Sequence, residues 1–186
     1  PIWFVEQISD SLADDGVWVF EQSYMPRMLE NVSYDTVCHE HLEYYSLKQI
    51  IWMLKKVGFK VVDVELNDIN GASFKITAAK KKSKLKANDA KIKKLIKKEE
   101  AAELHILDTY KKFADSVKEY NQKLVEFVKS INDSGKKIFG YGASTKGIVI
   151  LQACEFTIRD IPYIAEVNQY KFGKLTPGTN IPIISE

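Results

Sequence analysis

The chain has 186 residues, 45% of them hydrophobic and 28% charged, with a net charge of +2. That is enough apolar material to bury a core in one domain or two small ones, while no apolar run approaches the ~20 residues of a membrane-spanning helix. Its two cysteines, Cys38 and Cys154, exclude a disulfide framework and a four-cysteine zinc site, and with no signal-peptide pattern at the start a cytoplasmic location is expected.

From Ile2 to Leu12 the residues Ile2, Phe4, Val5, Ile8 and Leu12 recur at helical spacing, and Asp14, Asp15 and Gly16 end the helix. Val17 to Phe20 is a short apolar run of branched and aromatic side chains, which predicts a strand buried in a parallel sheet. Glu21, Gln22 and Ser23 then fall at its carboxyl end, where open α/β sheets place their ligands. Leu47 to Val57 predicts a helix with Ile50, Ile51, Leu54 and Val57 on one face and Gly58 as its stop. Phe59 to Leu66 and Ala72 to Ala79 predict strands, joined by N-D-I-N-G with the Asn-Gly chemistry of a hairpin turn.

Ten lysines fall between Lys80 and Lys98. No aromatic residue is interleaved with them, so a solvated helix face is preferred to a surface that tracks nucleic-acid phosphates. Apolar residues recur at three- and four-residue intervals from Ile92 to Ile131. One helix of about 45 residues would be ~68 Å long, too long for a compact domain. Two helices broken near Glu99 to His105 are expected, with His105 a partly exposed helix residue. Lys137 to Tyr141 predicts a strand running into G-Y-G-A-S-T-K-G and a helix from Thr145. Gly140 and Gly142 permit a tight turn, and the amides leading to Lys146 can receive a diphosphate. The competing reading is that these glycines only turn a strand into a helix. Lys146 is followed by Gly147, so this is not a P-loop. Ile161 to Val167 predicts another strand, carrying Glu166 near the offset at which Rossmann domains place a ribose-binding carboxylate. Thr176 to Ser185 reads as a turn and a last short strand.

Most of the proton-transfer chemistry lies in Tyr34 to Ser46, Y-D-T-V-C-H-E-H-L-E-Y-Y-S. It shows no regular amphipathic period and reads as a loop entering the helix after Ser46. His39 and His41 are two apart, whereas the H-E-x-x-H zinc pattern needs a spacing of four, so no metal site is expected. Cys38 as a nucleophile lacks any marked oxyanion hole. A general base is the better use of His41, because imidazole titrates near neutrality. Histidines that merely cap a helix or hydrogen-bond inside a polar loop are the alternative.

C-H-E-H-L-E-Y-Y-S-L, N-G-A-S-F-K at residues 70–75, G-Y-G-A-S-T-K-G and T-P-G-T-N-I-P-I-I-S, in this order, closely resemble the S-adenosylmethionine-dependent sugar C-methyltransferases. These act on nucleotide-linked keto-hexoses. Their architecture has an N-terminal zinc domain, a central methyltransferase domain and a C-terminal Rossmann-like domain, and this chain looks like the second half of the central domain plus the last one. The expected fold is therefore α/β: the second half of a class I methyltransferase sheet over 1–80, a long helical connector over 81–134 and a small Rossmann-like C-terminal domain over 135–186.

The resemblance also implies a chemistry. His41 removes the proton beside the ketone of a nucleotide-linked 4-keto sugar, the enolate attacks the methyl of S-adenosylmethionine, and Glu40 polarises or orients the site. Family members commonly carry Tyr where Cys38 stands, so Tyr34, Tyr44 or Tyr45 is expected to supply the phenol, unless the substrate differs. Substrate contacts are expected at His39, Asn70, Ser73 and Lys75, and nucleotide contacts at Gly140, Gly142, Lys146 and Glu166. The loop that cradles S-adenosylmethionine lies, in such enzymes, upstream of what is Pro1 here. The chain is thus expected to lack an N-terminal half and to be inactive alone, with no nucleic-acid or membrane partner. Two other functions stay open: the NAD-binding Rossmann domain of an oxidoreductase, and a non-catalytic basic helical binding module. Four residues separate Gly142 from Gly147 where G-x-G-x-x-G has two, and methyl transfer needs no hydride, so NAD is not the expected ligand.

Overall fold

The computed structural model describes the backbone of residues 1–186 and every side chain except that of Asn70. The substrate contact expected at Asn70 therefore lies outside the described side chains. By its contacts the chain divides into two compact units: residues 1–33 with 43–111, and residues 34–42 with 112–186.

The first unit is built on a three-stranded sheet. Helix α1 (Ile2–Ser11) leads into β1 (Val17–Ser23), α2 (Met25–Glu30), α3 (Leu47–Lys56), β2 (Phe59–Asn67), β3 (Ser73–Lys80) and α4 (Asp89–Ala101). Strand β3 lies between β1 and β2 and is antiparallel to both. This corrects the expected parallel pairing of β1. The run V-W-V-F looks apolar on both faces, yet only Trp18 and Phe20 turn to the core, and Val17 and Val19 are exposed. Strand β1 also continues through Ser23, so Glu21 and Gln22 sit in the ladder, opposite Lys75 and Phe74, and not beyond its end.

Phe74, Ile76 and Ala78 project from the core face of β3 against Leu47, Ile50 and Leu54 of α3 and Leu95 of α4. Each large side chain so buried contributes about 1.5–3 kcal/mol. Helix α3 begins where the sequence chemistry says it should: Ser46 and Gln49 form a capping box, Lys55 and Lys56 occupy its last turn, and Gly58 follows with φ +85°. The expected break between the two long helices is present, with α4 ending at Ala101 and α5 running from Leu107 to Asp133. His105 falls in that break, not in a helix. Helix α4 packs on α3 and β2 within the first unit, where Lys91 pairs with Asp63 at 3.0 Å, while most of α5 belongs to the second. The stretch expected as one connector is thus shared between the units.

In the second unit β4 (Gly140–Tyr141), β5 (Ile164–Glu166) and β6 (Ile183–Ser185) form a parallel sheet in that order, with α6 (Thr145–Ala153) crossing from β4 toward β5. The strands are shorter than the sequence suggests, β4 being two residues long. Val128 of α5 packs with Ala143, Phe156, Ile161, Ile164, Ile181 and Ile183 to form the core.

Candidate functional site

The His-rich stretch divides between the units, and its first part, residues 34–42, belongs with the second. Tyr34–Thr36 form a 3-10 turn, and Tyr34 and Thr36 are both buried. The Tyr34 hydroxyl donates to Asn121 Oδ1 of α5 at 2.5 Å, its ring meets Tyr120 edge-on at 6.3 Å, and the Cys154 thiol is within hydrogen-bonding reach. Burial pushes the Tyr34 phenol far up and the Cys154 thiol up, so both stay protonated. Tyr34 thus anchors the start of the stretch, its hydroxyl proton directed at Asn121. Beyond this stem the chain turns, with the His41 amide donating to the Cys38 carbonyl at 3.1 Å. His39 and Glu40 are exposed and His41 is half-buried. Glu40 Oε1 accepts a hydrogen bond from the Thr145 hydroxyl at 3.4 Å, which brings the acid–base loop to the first residue of α6.

The glycine-rich turn before α6 separates into two roles. A Cβ on Gly140 would stand 2.7 Å from the Ile164 side chain, so this glycine allows β4 and β5 to pack. Its amide donates to the Tyr163 carbonyl at 3.1 Å. Gly142 has φ +83° and open space where a Cβ would stand, so it supplies the turn conformation and leaves an accessible face. Ser144 caps α6 by accepting from the Gly147 amide at 3.1 Å, and Lys146 is half-buried in the first helical turn.

Glu166 is 6% exposed, and all its lone-pair positions are taken. Oε1 accepts from the amides of Val167 and Asn168 at 2.9 and 3.1 Å, and Oε2 from the Ala143 amide and Lys171 Nζ at 2.9 and 3.1 Å. The Asn168 amide first, then the Lys171 ammonium, hold its carboxyl down to about 2. Lys171 also donates to the Ala143 carbonyl at 2.8 Å. Glu166 is therefore a pin under the glycine turn. Its four lone-pair positions are occupied by these donors from the protein itself.

The remaining expected site residues lie in the first unit. The Tyr45 hydroxyl donates to the Glu43 carboxylate, and burial followed by that carboxylate pushes its phenol up to about 12. Tyr44 is half-buried. Ser73 is 2% exposed and its hydroxyl donates to the Ile69 carbonyl at 2.9 Å, which makes it a structural residue where a substrate contact was expected. Lys75 lies between Glu21 and Glu65 across the strands and pairs with Glu65 at 2.7 Å, which raises its ammonium above the usual lysine range. Sequence reasoning missed Glu99, which is 4% exposed and accepts from the Leu47 and Lys48 amides and the Tyr24 hydroxyl at 2.6, 3.0 and 2.9 Å. It also missed Asn121 and Thr145, whose partners are distant in the chain, and Lys171, five residues from Glu166. Among the described residues no group of three His, Cys, Asp or Glu side chains gathers as metal ligands, and no helix is long and apolar enough to cross a membrane.

Residues 1–64 of this α/β chain match the family model described as a methyltransferase domain. Residues 68–186 match the model described as the C-methyltransferase C-terminal domain. The chain belongs to the C-methyltransferase family. C-methyltransferase NovU of Streptomyces niveus is 33% identical over 178 residues, covering 96% of this chain and 42% of that protein. The chain thus spans less than half the length of this curated relative.

Proposed function

We propose that the chain acts within a longer S-adenosylmethionine-dependent enzyme that methylates carbon beside the ketone of a nucleotide-linked 4-keto sugar, and that it supplies the base. The observation that carries this reading is the hydrogen bond between Glu40 and Thr145, which sets the His39-Glu40-His41 loop beside the Gly142–Lys146 turn within one unit. A sugar tethered to a diphosphate needs such a pairing: amides and a cation for the phosphates, and a proton acceptor a short distance away.

In this reading His41 takes the proton from the carbon beside the ketone, and the electron pair it leaves is delocalised as an enolate. Glu40, held by Thr145, orients His41 and favours the imidazolium that forms. His39, exposed on the same loop, contacts the substrate. S-adenosylmethionine is the second substrate and supplies an electrophilic methyl. The described residues offer it no glycine-rich strand-to-helix cradle in the first unit: Gly16 and Gly58 lie between a helix and the following strand, and Gly71 between two strands. Donor binding is therefore assigned to the rest of the enzyme. Gly142, the amides leading to Lys146, and Lys146 itself take the diphosphate. The saturated oxygens of Glu166 weigh against NAD, whose ribose would have no acceptor there.

The test is His41→Ala in the whole enzyme. Turnover is expected to fall at least about 100-fold, with affinity for the nucleotide sugar changed less than threefold. Activity above a few percent of wild type would remove His41 from the role of base.

A further inference from the structure

We propose that Asn121 and Thr145 are positioning residues for the proton transfer, holding the His39-Glu40-His41 loop at its stem and at its crown. The inference rests on His41 being the base. It adds that helices α5 and α6 fix where that base stands.

The stem contact is part-buried, and Asn121 makes two hydrogen bonds there. Asn121 reaches two groups at once, its Oδ1 accepting from Tyr34 and its Nδ2 donating to the Ala153 carbonyl at 3.4 Å. Ala153 is the last residue of α6, so its carbonyl is one that the helix leaves without an internal partner. A carbonyl can only accept, so it takes the amide nitrogen and leaves Oδ1 to the phenol. Asn121 thereby ties the start of the reactive loop to the end of α6. At the crown, Thr145 ties Glu40 to the start of the same helix. Helix α5 at the stem and α6 at the crown thus hold the segment that carries His39, Glu40 and His41.

Neither Asn121 nor Thr145 has a group able to take a proton near neutral pH, and Tyr34 is held un-ionised by burial. Their effect must run through geometry. A base displaced by about 1 Å loses on the order of 100-fold in rate, while substrate bound mainly through its diphosphate keeps its affinity. That pattern, a loss in kcat at nearly constant KM, separates positioning from binding.

The experiment uses the whole enzyme with Asn121→Ala, Tyr34→Phe, Thr145→Val and the conservative Thr145→Ser, read by steady-state kinetics and by amide hydrogen exchange. Asn121→Ala and Tyr34→Phe are expected to lower kcat about 10- to 100-fold, with KM within threefold and faster exchange confined to residues 34–42. Thr145→Val is expected to lower kcat less, and Thr145→Ser to restore it. Tyr34→Phe keeps the ring packing and carries the stem test if Asn121→Ala does not fold. Unchanged kcat with unchanged loop exchange, or a rise in KM alone, would overturn the proposal. His41→Ala run beside these separates the two ideas. If it retains turnover, the assignment of the base fails, whereas an inactive His41→Ala with fully active stem and crown variants defeats the positioning role alone.

Discussion

Glu99 and Glu166 are both buried carboxylates, one in each unit, and both spend their oxygens on backbone amides beside the start of a helix. Glu99 reaches from α4 to the first two amides of α3, where a negative charge meets the positive end of the helix. Its third donor is the neutral Tyr24 hydroxyl. Glu166 instead has a cation, Lys171, among its four donors. The contrast shows two ways of keeping a charge out of water: saturation by dipoles in the first unit, and dipoles with a counter-ion in the second.

The largest effect is expected from Glu99→Ala, which leaves two amides and a phenol without their acceptor. It should destabilise the first unit by about 3 kcal/mol. Denaturant unfolding followed by tryptophan fluorescence reads this unit alone, because Trp3, Trp18 and Trp52 all lie in it. Glu99→Gln should recover less than half, since its NH2 group would face donors; recovery to wild type would break the comparison.

Acid should act next, and on the second unit. Glu166 is held down to about 2 in the folded chain, against roughly 4.3 for an unfolded glutamate. Its contribution is complete above the unfolded value and is lost as pH falls from there toward about 2. The second unit, followed by the NMR signals of the stacked Phe139 and Tyr163 rings, should lose stability across that window. Glu166→Gln should be less stable at neutral pH and flatter below pH ~4.3. An unaltered acid limb in this variant would show that Glu166 is not the group being titrated.

Lys171→Met removes the counter-ion but leaves three amides on Glu166. A fall of only a few degrees in the melting temperature of the second unit is expected, with the acid limb moved to higher pH. A loss as large as that of Glu166→Gln would mean that the cation, and not the amides, holds the carboxylate. The smallest effect is expected from Tyr45→Phe, whose hydroxyl serves the exposed Glu43. A stability change under about 0.5 kcal/mol, measured by the same fluorescence unfolding, marks the surface limit of the series.

How far the sequence could be read follows the range of the interactions. Helix α3, with its Ser46 cap and Gly58 stop, is written in adjacent residues and was legible, as was the break between α4 and α5 where the apolar stripe lapses. The direction of the neighbour of β1 was not, because V-W-V-F has the same pattern whether one face or both are covered. Gly140 and Gly142 look alike in sequence and differ only in what stands opposite, the Ile164 side chain for one and open space for the other. Glu166 stood at the offset of a ribose acid, but an offset carries no information on whether donors already surround it. Asn121 and Glu99 were invisible for the same reason: a polar residue on a helix face gives no local sign of a partner 87 or 52 positions away.

Tyr34 and Thr36 lie in the short first segment, residues 34–42, of a unit whose second segment begins at Lys112. That unit is discontinuous in the chain, so no single cut can release it intact. A polypeptide beginning at Lys112 would leave Asn121 Oδ1 facing a vacancy in place of a phenol. Shuffling the C-terminal part among family members therefore has to move two segments together, 34–42 and 112–186. A chimera joined only near residue 112 would mate one parent's segment 34–42 with the other parent's helices. Inheritance of the His-rich segment 34–42 is tied to residues far downstream of it.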